Sequence, residues 1–339
     1  MSELTPRQSR TIGALLGVHA GDALGAALEF RTHTSIRSEY PSGLRSIIGG
    51  GFLRWPPGHA TDDTDMTRAV LLAYRDHRRS QTNHPATESS SAKEETDVVK
   101  MAADYFVKWL EGDWPDRARG SRPVDIGNTT AKGLRLYKRT RDPSKAGSGA
   151  KSAGNGSLMR CIPTALFQPS PSLLVEESIR ISRVTHDDPR CTVACAAYNT
   201  IVAQLISGIS PISAVATGEA ISLELEGDEG PVTAAIRRGK ELSIADTARD
   251  GPPIDMKGKF GGYVLGSLIL AVAAVLDHRS LEDVLVDVVR VGHDTDTNGA
   301  VAGGLLGSRD GVEGIPSEWR KKLQFADEFR DIALEMINE

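Results

Sequence analysis

The chain has 339 residues with 40 Lys and Arg against 45 Asp and Glu, a formal net charge of −5 that excludes a globally basic nucleic-acid binder but not a local basic patch. Hydrophobic residues at 40% and charged residues at 25% are the composition of a soluble globule with chain enough for a substantial core. Cys161, Cys191 and Cys195 cannot build a disulfide framework. The start MSELTPRQSR is no secretory signal, and the longest apolar stretch, Tyr263 to Leu276, falls short of the ~20 residues of a membrane span, so a soluble protein of the reducing cytoplasm is expected.

The elements follow in chain order. Thr11 to Phe30 carries apolar residues at helical spacing (Ile12, Leu15, Leu16, Ala20, Leu24, Leu28) and a glycine at every fourth position, Gly13, Gly17, Gly21 and Gly25. This predicts a buried central helix that tolerates close approach, broken near Gly21 and Asp22. Residues 31–60 read as a long loop, and a second helix runs from Thr61 through Met66, Val70, Leu71 and Tyr74. Residues 78–97 are polar and aperiodic and read as a mobile insertion. Helices are then predicted over 98–109, from Leu158, and over 173–184, 190–207, 213–225, 232–245, 260–276, 281–291, 299–306 and 319–337. Alternating β patterns are scarce, so the fold class is all-α in one domain over 1–339, with a motif-bearing core at 11–310. The one competitor is a β-branched run, Val284 to Val291, that also suits a buried strand.

Two acidic clusters carry the chemistry. Thr61-Asp62-Asp63-Thr64-Asp65 and Asp294-Thr295-Asp296-Thr297-Asn298 each open a predicted helix. Helix capping needs one such side chain. Like charges about 4 Å apart repel by roughly 4 kcal/mol even at an effective dielectric of 20, so this density suits either open solvent or a cation. If the clusters converge, their oxygen donors suit Mg²⁺, Mn²⁺ or Ca²⁺ rather than zinc. An EF-hand reading from Asp294 fails because its twelfth position is Leu305 rather than Glu. An aspartate-nucleophile phosphatase reading leaves the first cluster unexplained. Gly147 to Ser152 departs from a Walker loop at Lys145 and Ala150, whereas Gly154-Asn155-Gly156-Ser157 ahead of a helix can cradle an anion. Taken singly, Glu29 reads as a helix-end residue, His186 as a structural histidine with a helix cap or a ligand contact as the alternatives, Trp55 as a loop-packing residue, and Cys191 with Cys195 as core thiols.

Together these motifs have a recognisable order. GALLGVHAGDALGAALEF (13–30), GHATDDTDMT (58–67), GNGSLMR (154–160), Thr185-His186, GGYV (261–264) and GHDTDTNGAVAGGLLG (292–307) resemble the ADP-ribosylglycohydrolase family over most of the chain. The resemblance implies an orthogonal all-α helix bundle with a binuclear Mg²⁺ site, Mn²⁺ being a possible substitute. Its ligands would be Thr61, Asp62, Asp63, Asp294, Asp296 and Thr297, with Asp296 bridging. It implies Glu29 approaching the metals, Ser152, Gly154, Asn155, Gly156 and Ser157 around the ADP-ribose diphosphate, His186 beside the ligand and Tyr263 near the adenosine.

The activity implied is removal of ADP-ribose from a modified protein or other target, with Glu29, Asp62 and Asp63 as candidates for orienting water or carrying a proton. No membrane partner is implied, and nucleic acid enters only as a modified substrate. A non-catalytic binder on the same fold, such as an immunity protein against an ADP-ribosylating toxin, is the alternative, and a two-metal phosphohydrolase is a third reading. The chain departs from the family pattern at Asp65, which adds a charge near the site, at Ala153, and in the stretch 78–97.

Overall fold

Glycine spacing in the first helix dictates the centre of the molecule. In the computed structural model, which describes residues 3–83 and 97–338, α1 (Pro6–Gly25) lies antiparallel to α14 (Thr295–Asp310) with their glycines face to face. A Cβ on Gly17 would stand 2.1 Å from the Gly303 carbonyl oxygen, and one on Gly21 would stand 2.0 Å from that of Gly299. Only glycine permits backbones this close. The antiparallel register sets the C-terminal end of α1 beside the N-terminal end of α14, where the Thr295 hydroxyl donates to the Gly25 carbonyl at 2.7 Å. Thus α1 is not broken at Gly21 and Asp22. Those residues stay helical because they sit in this interface, and the helix ends at Gly25, leaving Glu29 in the turn 26–30.

The remaining helices surround this pair. They are α2 (His33–Glu39), α3 (Asp62–Asn83), α4 (Val98–Leu110), α5 (Asn128–Thr140), α6 (Ile162–Phe167), α7 (Pro171–Arg183), α8 (Pro189–Ile206), α9 (Pro211–Glu226), α10 (Pro231–Glu241), α11 (Ile244–Asp250), α12 (Val264–Leu276), α13 (Leu281–Arg290), α15 (Ser317–Arg320) and α16 (Ala326–Asn338). Local chemistry starts many of them. Thr5 and Gln8 form a reciprocal capping box on α1, while Ser170, Asp188 and Ser210 cap helices whose first residue is proline. No strand occurs among the described residues, so the all-α class holds, and the buried apolar side chains form one contiguous cluster. No described helix is long and apolar enough to cross a membrane.

Several predicted boundaries move. The loop 31–60 contains α2, and α5 was not foreseen. The helix expected from Leu158 starts only at Ile162, with Pro163 in its first turn and a run of turns before it. The segment 232–245 divides after Glu241 and the segment 319–337 begins as the short α15. The β-branched run is helix α13, whose Val284, Leu285, Val288 and Val289 form one buried stripe. Residues 78–83 of the expected insertion are the last turns of α3, Asp97 is the N-cap of α4, and residues 84–96 lie outside the described residues.

Candidate active site

The two acidic clusters meet. Asp62 and Asp63 open α3, and Asp294 to Thr297 open α14. Asp63 Oδ2 accepts from the Thr61 hydroxyl at 3.2 Å and from the Thr297 hydroxyl at 3.4 Å, which ties the clusters together across 234 positions. Glu29 is brought in by a staple. The Phe30 N–H donates to the His293 carbonyl at 2.8 Å and the His293 N–H donates to that of Arg31 at 2.7 Å, both Phe30 and His293 holding positive φ (64° and 70°). Such backbone strain persists where surroundings over-determine it, often at functional sites. A cleft of about 610 Å³ results, with Glu29, Asp62, Asp125, Asp294, Asp296 and Thr297 along one side.

The electrostatics of this wall are severe. Carboxylate oxygens of Glu29, Asp125 and Asp296 all lie within 4.8 Å of one another. Burial, reinforced by neighbouring carboxylates, pushes Asp62, Asp63 and Asp296 well above the usual carboxylate range. For the same reasons Glu29 rises to about 8, and Asp125 rises under burial and the charge of Asp294. Glu29 Oε2, Asp63 Oδ1 and Asp296 Oδ1 are buried without a hydrogen-bond partner among the described residues. Unpartnered buried oxygens in an all-oxygen donor set fit hard divalent cations.

The other wall is neutral. Gly154, Asn155, Gly156 and His186 line it. A Cβ on Gly154 would come within 3.3 Å of His186 Nε2, and one on Gly156 would come within 3.0 Å of His186 Cε1, so both glycines make room for the ring. The turn is tied to the start of α12, the Asn155 N–H donating to the Gly262 carbonyl at 3.1 Å and the Val264 N–H to that of Ala153 at 3.1 Å. It therefore does not sit at a helix N-terminus, as the motif suggested, and the Asn155 amide is already engaged. The Asn155 side chain joins the two walls, its Nδ2 donating to Asp294 Oδ2 at 2.7 Å and to the Ser267 hydroxyl at 3.0 Å. His186 is held neutral, its pKa lowered to about 3 by burial and by Arg160. Arg160 Nη2 donates to the Thr185 hydroxyl at 2.6 Å, and that hydroxyl lies 2.7 Å from His186 Nδ1. While its oxygen accepts from the guanidinium, the hydroxyl hydrogen is available to Nδ1, an arrangement that puts the ring proton on Nε2 beside the two glycines.

Not every expected residue lines the cleft. Thr61 and Asp63 sit behind its wall. Ser157 is buried and accepts from the Ser182 hydroxyl at 2.9 Å. Ser152 also lies off the cleft, its carbonyl facing Cys191 Sγ at 3.9 Å, and Tyr263 lies with its ring 5.8 Å from the Arg190 guanidinium. Asp65 does not add its charge to the cleft, because its carboxylate accepts from the indoles of Trp109 (2.9 Å) and Trp114 (2.8 Å).

Two acids escaped the sequence reading. Asp125 stands alone between Val124 and Ile126, with no cluster to mark it. Asp22 was hidden inside a helical pattern. It is fully buried, accepts from the Thr61 and Thr64 N–H groups at 3.1 and 3.3 Å, and so caps α3 from another helix.

Comparison with known proteins agrees with this architecture. The family model described as ADP-ribosylglycohydrolase matches residues 3–339. The ADP-ribosyl-[dinitrogen reductase] glycohydrolase of Rhodospirillum rubrum is 32% identical over 319 residues, covering 93% of this chain and 90% of that protein. The ADP-ribosylarginine hydrolase Tri1 of Pseudomonas putida (strain GB-1) is 28% identical over 99% of this chain and 80% of its own. The ADP-ribosylhydrolase ARH3 of Mus musculus is 25% identical over 94% and 89%. A solved structure, an ADP-ribosylglycohydrolase-related protein complex, superposes with a TM-score of 0.75 at 26% identity over 99% of both chains. The fold and cleft are those of a glycosidic-bond hydrolase. The chain belongs to the ADP-ribosylglycohydrolase family, whose reaction is the hydrolysis of ADP-ribose linkages.

Proposed function

We propose that this protein removes ADP-ribose from a modified arginine side chain in a reaction that depends on two divalent cations, Mg²⁺ or Mn²⁺. The observation that carries the reading is the convergence of buried carboxylates whose oxygens have no partner, Glu29 Oε2, Asp63 Oδ1 and Asp296 Oδ1. Protonation is one way to relieve such a cluster, and divalent cations are the other. The arginine linkage is supported by relatives named as ADP-ribosylarginine hydrolases, aligned over 99% and 96% of this chain.

In this reading Thr61, Asp62, Asp63, Asp294, Asp296 and Thr297 hold the ions, which when bound polarise ribose hydroxyls and lower the pKa of a water. The chain's own groups do the rest. Glu29 and Asp62, which line the cleft, orient the attacking water and take its proton, with Asp63 behind them. His186 Nε2–H donates to an anionic or hydroxyl oxygen of ADP-ribose, and the glycines at 154 and 156 keep that approach open. Asn155 ties Asp294 to the neutral wall.

The test is hydrolysis of ADP-ribosylarginine with Mg²⁺ and with chelator, alongside melting temperature. Wild type releases free ADP-ribose and gains stability with Mg²⁺ by mass action. Asp296→Asn is expected to lose about 100-fold or more in kcat/KM, together with the Mg²⁺-linked thermal shift. Retention of both by this variant, or equal activity of wild type in chelator, overturns the reading.

A further inference from the structure

The rim of the cleft carries a charge pattern that the hydrolytic chemistry does not use. Residues 128–151 hold seven Lys and Arg against one Asp in a chain whose net charge is −5. The segment begins as α5, whose first residues Asn128, Thr129 and Thr130 line the cleft, and whose Leu134 and Tyr137 are buried. Its outer face forms a shallow open groove of about 480 Å³ lined by Lys132, Arg135, Leu136, Lys138 and Arg139. Lys132 donates to the Ser148 carbonyl at 2.6 Å, and Lys138 pairs with Glu111 at 2.6 Å. Arg135 and Arg139 are exposed and have neither an ion pair nor a hydrogen bond among the described residues. Solubility alone is served by mixed signs, as on α10, where Arg237 and Lys240 both pair with Glu219.

We propose that this groove binds an acidic stretch of the modified protein, flanking the ADP-ribosylated residue while that residue occupies the cleft. The inference rests on the hydrolase reading above. A rise of 1.5 Å per helical residue puts Arg135 and Arg139 about 10 and 16 Å along α5 from Asn128. An extended peptide covers that in about three to five residues. Acidic residues at those distances from the modified side chain would meet the two guanidinium groups, whose planar forks suit carboxylates. A polypeptide fits better than a nucleic acid. The groove is short, carries an apolar contact at Leu136, and has no aromatic side chain in its lining on which a base would stack.

The experiment uses the full chain and three substrates: free ADP-ribosylarginine, and two peptides with a single ADP-ribosylated arginine flanked three to five residues away by Asp and Glu or by Lys and Arg. Wild type is expected to show a KM about tenfold lower for the acidic peptide at low salt, the preference fading as salt shortens the screening length. The double variant Arg135→Glu with Arg139→Glu is expected to lose the preference and to turn over free ADP-ribosylarginine unchanged. The milder pair Arg135→Gln with Arg139→Gln, checked for helix content, guards against a folding effect. Equal KM for both peptides in wild type, or a preference that survives charge reversal, overturns the proposal. So does a 12-nucleotide single strand that outcompetes the acidic peptide. Should wild type hydrolyse none of the substrates, the arginine-linkage reading fails separately, and anisotropy binding of the unmodified acidic peptide still decides whether the groove takes it.

Discussion

Thr185 shows how one hydroxyl sets the state of a binding wall. It accepts from the fully buried Arg160, which also stacks over Phe106 at 4.2 Å, and is hydrogen-bonded to His186 Nδ1 at 2.7 Å. Thr185→Val preserves shape but strands a guanidinium N–H and frees the imidazole to change tautomer. The expected cost is about 1–3 kcal/mol of stability, measured by urea unfolding, together with a roughly tenfold weaker Kd for ADP-ribose by calorimetry. Thr185→Ser is expected to restore both. At this scale the sequence was informative where side chains repeat a pattern and silent where they act alone. Asp62, Asp63, Asp294 and Asp296 declared themselves by crowding, whereas Asp125 lines the same cleft with no local signal at all. Asp65 crowds as well, yet two indoles claim it. Crowding in sequence marks a cluster but does not say which member faces inward.

Helix α1 positions chemistry through contact rather than through any reactive group. Its glycines admit the α14 backbone, and that contact carries the 294–297 cluster to the 62–63 cluster. Gly303→Ala places a Cβ 2.1 Å from the Gly17 carbonyl oxygen, a backbone atom that cannot swing aside. A loss of about 3 kcal/mol or more is expected from chemical denaturation. Because separating α1 from α14 also displaces the acidic ends, hydrolysis and the Mg²⁺-linked thermal shift are expected to fall together. An unchanged melting curve would refute the role given to this interface. The periodicity of these glycines was legible in sequence, but their partner was not. Four small residues one turn apart announce a close approach without naming the other surface, and the break expected at Gly21 and Asp22 is absent because α14 supports the backbone there.

At the scale of the whole molecule, buried imidazoles give stability a pH dependence. His19 sits within the core near Phe325 and Phe329, with Nε2 donating to the Gly58 carbonyl at 3.1 Å, and burial lowers its pKa to about 3. In the unfolded chain a histidine binds a proton near pH 6.5. Between those values the unfolded state holds the extra proton, so the contribution of His19 is fully present above about pH 6.5 and is lost as pH falls toward 3. The stability gap between wild type and His19→Gln is therefore expected to shrink by about 1.4 kcal/mol per pH unit below pH 6, read from urea unfolding at pH 5, 6 and 7 in metal-free buffer. A gap independent of pH would show that His19 is not held neutral. The acids with raised pKa values run the other way: the contribution of Glu29 is present at low pH and is lost as pH rises through about 8. Comparing variant with wild type at each pH cancels that background.

What the sequence by itself determined is local or periodic. Helical spacing set the all-α class, caps and prolines set many helix starts, and two dense acidic runs marked the chemistry, because each of these is a relation between residues a few positions apart. What only the tertiary structure decided depends on contacts between distant segments. It joined Asp63 to Thr297, recruited Glu29 through a strained turn, and brought Asp125 into the acidic wall. It turned Val284 to Val289 into a helix stripe and set Ser157 behind the wall. The physical reason is that burial, charge repulsion and backbone approach are properties of surfaces brought together in space, and a chain read in order carries only one side of each.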